Sequence, residues 1–438
     1  VEYLEMVIEF SVTNYRSIKA KNELSLVASN QLSDLPENVF PASAPGLKDT
    51  RLLNGAAIYG ANASGKSNVL KAIGFMQQFI LESATARKPG EPTKTVPFKL
   101  DGLSEKLPTT FEIVFIAEGV RYEYGFSLDN RRVHEEWLKA FPKGLPQNWF
   151  RRKLKSVDSN DYIWNVSPTN FEDDKDLRSK TRVDTLFISV AAQFNHAQLS
   201  PIYNWFQESL QVLLLTPEET SFLVRKTSDQ IATNPNLSKS YSKILQWADL
   251  GINGVRVETR PFLNSELPLD MPKEVREFVL KRVGDTKIPN TFMLHGRSDV
   301  EIDVAFSLDD ESAGTQRLFA LLGPWIGALA SGACLFVDEL GSSMHPLMTR
   351  KLLALFGSRG ISETGAQIVF TTHDTTLLDK SVLRRDQIWF TEKDEGGATT
   401  LYSLNDFHPR KDEALGRGYL AGRYGAIPFL STDLDAWK

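Results

Sequence analysis

Residues 60–67 read Gly60-Ala61-Asn62-Ala63-Ser64-Gly65-Lys66-Ser67. This G-x-x-x-x-G-K-S spacing lets backbone N–H groups converge on an anion at a helix N-terminus, because the glycines tolerate the tight loop. Lys66 can neutralise β- and γ-phosphate oxygens, and the Ser67 hydroxyl can take a place on Mg2+. The chemistry implied is nucleotide binding.

Three further segments supply reactive groups. Leu335-Phe336-Val337-Asp338-Glu339 is an apolar run ending in two acids. Asp338 is placed to bind Mg2+ directly or through water, and Glu339 to polarise an attacking water. Alone, such a run describes many strands that enter a solvated turn; beside the glycine loop it becomes the second half of a hydrolytic site. Gln367-Ile368-Val369-Phe370-Thr371-Thr372-His373-Asp374 is another buried-type strand with a polar end, from which His373 can reach a γ-phosphate. Upstream, Glu311-Ser312-Ala313-Gly314-Thr315-Gln316-Arg317 opens the apolar helix that leads to Asp338. Ser312 and Gly314 could donate to a phosphate there, and by themselves they fit a plain serine N-cap equally well.

The elements that must position these groups follow from periodicity. Ala56-Ala57-Ile58-Tyr59 is a short apolar run into Gly60, and Val69, Leu70, Ile73, Phe75, Met76, Phe79 and Ile80 have helical spacing, so the order is strand, loop, helix. Residues 7–12 and 23–27 alternate as two strands, 84–108 form a loop, and 111–115 and 122–128 predict antiparallel strands with a further one after Asp129-Asn130. From 196 to 284 the spacing is mostly helical, in pieces at 202–212, 241–250 and 273–281, none long enough for an extended coiled coil. Residues 300–304 alternate as a strand, and the succession to about 405 reads as α/β with parallel strands. The uncharged stretch 318–337 is long enough to span a bilayer, yet Gly323-Pro324 and Ser331-Gly332 divide it into a buried helix and a buried strand. No membrane span is expected.

The order of glycine loop, S-x-G-x-Q, apolar strand with Asp-Glu and strand with His resembles the ATP-binding-cassette (ABC) ATPases, specifically the soluble SMC/OLD-like branch with its compact ATPases described as AAA-type. Residues 10–17, 58–62 and 418–428 are similar to that compact group as well, whereas the middle of the chain resembles it only loosely. The resemblance implies an α/β fold: an ABC-type P-loop NTPase head with an antiparallel β portion and an inserted helical lobe. It divides the chain into an N-terminal ATPase lobe (6–83), a β-rich portion (84–195), a helical insert (196–299) and a C-terminal ATPase lobe (300–438). ATP and Mg2+ are the implied cofactors, and the implied reaction is hydrolysis of ATP to ADP and phosphate.

Carried over by position, Gly60, Asn62, Ala63, Ser64, Gly65, Lys66, Ser67 and Asn68 form the phosphate loop. Arg16 resembles the N-terminal phosphate-contacting arginine, and Gln193 stands where the family's Q-loop glutamine is expected, an implied metal ligand together with Ser67 and Asp338. Glu339 is the implied catalytic carboxylate, assisted by Lys66 and by His373 as switch histidine. Ser312, Gly314 and Gln316 are the implied signature that contacts a second subunit's ATP. This signature lacks the Leu and paired Gly of transporters, and Leu340-Gly341-Ser342-Ser343-Met344-His345-Pro346 replaces the transporters' Asp-bearing loop.

Composition bounds the rest. The 438 residues suffice for two to three domains, and 42% apolar with 24% charged residues is ordinary for a folded protein. A net charge of -5 gives no bulk reason for nucleic-acid binding. The single Cys334 excludes an intramolecular disulfide framework and a cysteine zinc cage, and fits the cytoplasm. Met6 is the expected native start, with residues 1–5 as an appended segment. A signature that completes another copy's site implies a homodimer or higher oligomer with two ATP molecules sandwiched between subunits. No Toprim nuclease module is expected: the segment after His373 is short and Asp433-Leu434-Asp435 has no supporting acids. Two roles stay open: control of a separate effector, a nuclease or toxin, in bacterial anti-phage defence, or DNA-dependent work in repair or maintenance. DNA finds its support in Trp149-Phe150-Arg151-Arg152-Lys153-Leu154-Lys155, where aromatic and basic residues interleave, a pattern that a solvated strand end produces as readily.

Overall fold

The computed structural model describes residues 4–156, 158–248, 251–261, 267, 271–283, 287–296, 302–358 and 364–428. Packing divides the chain into one unit of residues 1–214, 327–341 and 349–438 and another of 215–326 and 342–348.

The first unit is built on two sheets. One has six strands in the order Leu210–Leu213, Cys334–Val337, Gln367–Thr371, Gly55–Gly60, Ile388–Lys393 and Thr399–Ser403. The first five run parallel and the last is antiparallel. The three central strands, Cys334–Val337, Gln367–Thr371 and Gly55–Gly60, are buried throughout, as strands covered on both faces are. The other sheet is antiparallel, in the order Tyr162–Val166, Gln147–Leu154, Val133–Ala140, Val120–Leu128, Thr109–Ala117, Met6–Thr13 and Asn22–Ser25. Toward the Tyr162–Val166 edge its strands alternate more and less buried residues, so one face there reaches solvent, while Met6–Thr13 and Val120–Leu128 are largely buried.

The helix Lys66–Glu82 packs against both sheets. Val69, Leu70, Ile73, Met76, Phe79 and Ile80, spaced three and four apart, share a core with Ile58 and Val369 of the parallel sheet and Phe111, Tyr124 and Phe126 of the antiparallel one. Phe75 stacks on Phe111 at a ring separation of 5.3 Å. The core therefore holds the N-terminus of this helix in register with the ends of the parallel strands.

In the second unit, helices Pro217–Thr233 and Pro235–Trp247 accompany a three-stranded antiparallel sheet of Ile252–Pro261, Lys287–Gly296 and Asp303–Ser307. The expected helical insert at 196–299 is thus corrected in kind and in extent. Residues 200–213 belong to the first unit, where Trp205 stacks on Phe115 at 4.0 Å. The helix expected over 202–212 ends at Glu208, and Leu210–Leu213 becomes the parallel neighbour of Cys334–Val337. Of the expected strand at 300–304, residues 300 and 301 lie outside the described residues and the strand observed is Asp303–Ser307. The helix expected over 241–250 is observed to Trp247, with 249 and 250 outside the described residues, as is Asp433-Leu434-Asp435.

The uncharged stretch resolves into helix Ala313–Ser331 and strand Cys334–Val337. Among the described residues no helix is long and apolar enough to cross a membrane.

Candidate nucleotide site

A cleft of about 300 Å³ opens beyond the carboxyl ends of the parallel strands, lined by Asn62, Ala63, Gly65, Lys66, Ser67, Asn68, Glu339, His373 and Lys393. Open parallel sheets place ligand sites at this end, where loops from neighbouring strands converge.

The loop is held from behind. Gly65 has φ +107°, and a Cβ there would fall 2.2 Å from Thr399 Oγ1, so only glycine fits. The Thr399 hydroxyl donates to Ser64 O at 2.8 Å and lies 2.7 Å from Ser17 Oγ. Ser64 is buried with its hydroxyl 2.7 Å from Thr391 Oγ1, and Gly60 lends its carbonyl to Lys66. Neither Gly60 nor Ser64 lines the cleft; both shape the loop that does.

Lys66 is 6% exposed, and its Nζ donates to Gly60 O at 2.8 Å and Ala61 O at 3.0 Å. Burial pushes its pKa down to about 8, against the opposing pull of Asp338 and Glu339. Ser67 Oγ donates to Asp338 Oδ1 at 3.0 Å. The same carboxylate oxygen accepts the Thr371 hydroxyl at 2.6 Å, and that hydroxyl accepts the Glu339 amide at 2.7 Å. Glu339 itself adopts φ +53°, an unusual conformation for a non-glycine residue. The strand Gln367–Thr371 thus fixes both acids that follow the neighbouring strand. Burial, then the Lys66 charge, lowers the His373 pKa, so its ring is neutral near pH 7 and can donate through one N–H.

The donor set fits Mg2+. A hydroxyl, a carboxylate and room for phosphate and water oxygens suit a hard cation that keeps several waters. Among the described residues no cluster of three or more His, Cys, Asp and Glu side chains competes for it.

The remaining sequence candidates divide. Asn68 borders the cleft, but its amide donates to Ser17 Oγ at 2.7 Å, in the turn after Arg16. Arg16 is exposed beside this turn and donates from Nε to Tyr15 OH at 3.2 Å; it does not line the cleft. Gln193 is an exposed residue at the end of helix Phe187–Gln193 and does not line it either. Ser312, Gly314 and Gln316 lie in the second unit. There Ser312 Oγ accepts the Thr315 amide at 3.2 Å, a Cβ on Gly314 would fall 2.3 Å from Ser343 O, and Gln316 donates to Glu311 O at 3.0 Å.

A profile described as "AAA domain, putative AbiEii toxin, Type IV TA system" matches residues 56–379. The chain belongs to this family. Its motif order resembles that of the ABC-type ATPases of the SMC/OLD-like branch. No curated protein matches the chain. Among solved structures, it is similar to an SMC head bound to the C-winged helix domain of ScpA, with 13% identity over 92% of this chain and 99% of that one at a TM-score of 0.44. The SMC head domain from Thermotoga maritima aligns at 14% identity over 91% and 98%, TM-score 0.38. The recombination mediator RecF in the RecFOR pathway, in its ATPrS form, aligns at 16% over 92% and 99%, TM-score 0.37.

Three residues of this AAA-domain site escaped sequence reasoning: Thr371, Thr399 and Lys393. Thr371 had a signal, being a hydroxyl residue at the polar end of an apolar strand; Lys393 and Thr399 flank the turn Asp394–Ala398 and carry no motif of their own. One expected surface dissolves. In strand Gln147–Leu154, Trp149 and Arg152 are buried, Arg152 pairs with Glu136 at 2.8 Å with both side chains fully buried, and Arg151 pairs with Glu135. Residues 149–155 are therefore no interleaved aromatic and basic face for DNA.

Proposed function

We propose that this chain binds and hydrolyses ATP with Mg2+, closes as a homodimer or higher oligomer on the nucleotide, and by that cycle controls a separate effector protein, a nuclease or toxin, in bacterial anti-phage defence. The observation that carries the hydrolytic part is the hydrogen-bonded set Ser67–Asp338–Thr371–Glu339, which faces Lys66 and His373 across one cleft.

Each group has a stated task. Loop amides and Lys66 bind the β- and γ-phosphates, while Ser67 and Asp338 hold Mg2+, which would neutralise charge developing on the phosphates. Glu339 orients a water and accepts its proton, and neutral His373 donates a hydrogen bond to a γ-phosphate oxygen without adding charge. Ser312, Gly314 and Gln316 contact ATP held by a second copy, so nucleotide joins two subunits and loss of the γ-phosphate loosens them. The family description places such a domain, as a putative toxin, in a toxin-antitoxin system, which supports work within a two-protein system.

The test is Glu339→Gln beside wild type, each tagged in the native host and isolated with ATP and Mg2+. The variant is expected to retain ATP, turn over at least about 100-fold more slowly, and accumulate as the closed assembly with a stoichiometric nuclease or toxin. Wild-type turnover in the variant removes Glu339 from its role. A dimer that carries DNA and no protein partner moves the function to repair or maintenance.

A further inference from the structure

Lys393 lines the nucleotide cleft and has no part in the chemistry described so far. It ends the strand Ile388–Lys393, is exposed, and has no ion-pair or hydrogen-bond partner for its ammonium among the described residues. The acids beside it in sequence are engaged elsewhere: Glu392 accepts the Tyr402 hydroxyl at 3.2 Å, and Asp394 accepts the Ala398 amide at 2.8 Å. An unpaired cation at the mouth of a phosphate cleft has an electrostatic purpose to be found.

Sheet order supplies its place. The strands that carry Asp338, Glu339 and His373 lie on one flank of Gly55–Gly60, and Ile388–Lys393 lies on the other. The hydrolytic groups fix the γ-phosphate on the first flank, and Lys66 with Ser67 takes the β–γ region above the helix N-terminus. The rest of the nucleotide must leave toward the second flank, where Lys393 stands. The Lys393 backbone is also held close to the loop: it pairs across the hairpin with Thr399, the residue packed against Gly65 and bonded to Ser64 O.

We propose that Lys393 is a second nucleotide-binding cation, contacting the α-phosphate side of ATP and not the γ-phosphate. This rests on the ATP reading of the cleft. A cation at that place senses charge common to ATP and ADP, so it sets affinity for both and leaves discrimination between them to Lys66, Glu339 and His373. Because it is exposed, its contribution is screened by salt.

The experiment compares the full chain with Lys393→Gln and Lys393→Arg, measuring equilibrium binding of fluorescent ATP and ADP at low and high salt, steady-state turnover and melting temperature. Lys393→Gln is expected to weaken ATP and ADP by the same factor, about tenfold at low salt, and to raise KM by that factor while kcat at saturation and melting temperature hold. Lys393→Arg restores affinity. Equal affinity in Lys393→Gln and wild type overturns the inference, as does a loss confined to ATP with a fall in kcat, which would put Lys393 at the γ-phosphate. If wild type retained neither nucleotide, the ATP reading itself would fail and this inference with it.

Discussion

Thr371→Val isolates the geometry on which hydrolysis depends. Thr371 is fully buried, and its hydroxyl makes two short bonds, 2.6 Å to Asp338 Oδ1 and 2.7 Å from the Glu339 amide. Valine has nearly the same shape, so packing is kept and only these bonds are lost. The Glu339 amide is then left without its acceptor, and Asp338 keeps Ser67 but loses a donor. At about 1–3 kcal/mol for a group left unpaired, the variant should lose about 1–3 kcal/mol of folding stability in a denaturant titration. The larger effect falls on turnover. Glu339 sits at φ +53°, a conformation that persists only while its surroundings hold it, so releasing its amide lets the carboxylate move away from the water. A displacement near 1 Å costs on the order of 100-fold in rate, whereas ATP binding through Lys66 and the loop amides should change little. Thr371→Ser, which restores the hydroxyl, should recover most of both losses. Wild-type kcat in Thr371→Val would refute the argument that this hydroxyl positions Glu339.

Two other perturbations test the electrostatics. With the Lys66 pKa near 8 in the free cleft, phosphate binding must favour its charged form, so ATP binding should take up protons around pH 8 and weaken as pH rises through that value. Calorimetry in buffers of different ionisation enthalpy reads the uptake directly, and buffer-independent heats would place the phosphates away from Lys66. Arg152→Ala removes one member of a fully buried ion pair and leaves Glu136 to Tyr124 OH and the amides of Phe187 and Ile188. It should cost about 3–5 kcal/mol in chemical denaturation; a variant that keeps its stability but loses salt-sensitive DNA affinity would return Arg152 to a DNA-binding role.

The sequence alone determined the phosphate loop, its helix and the acid-bearing strand. Their information is local: glycines fix the turn, 3.6-residue spacing fixes the helix face, and a continuous apolar run fixes a buried strand. It misjudged 202–212, and left 149–155 open between a DNA face and a strand end, because periodicity cannot register pairing between distant segments. Leu210–Leu213 becomes a strand through Cys334–Val337, and Arg152 becomes buried through Glu136. Thr371 and Lys393 belong to the site because parallel crossovers bring strand ends far apart in sequence to one end of one sheet, and Thr399 because an antiparallel hairpin pairs it with Lys393. The sequence thus specifies the groups that can do the chemistry, while tertiary structure decides which side chains hold them, since hydrogen-bond partners at 2.6–3.0 Å are set by strand order and register.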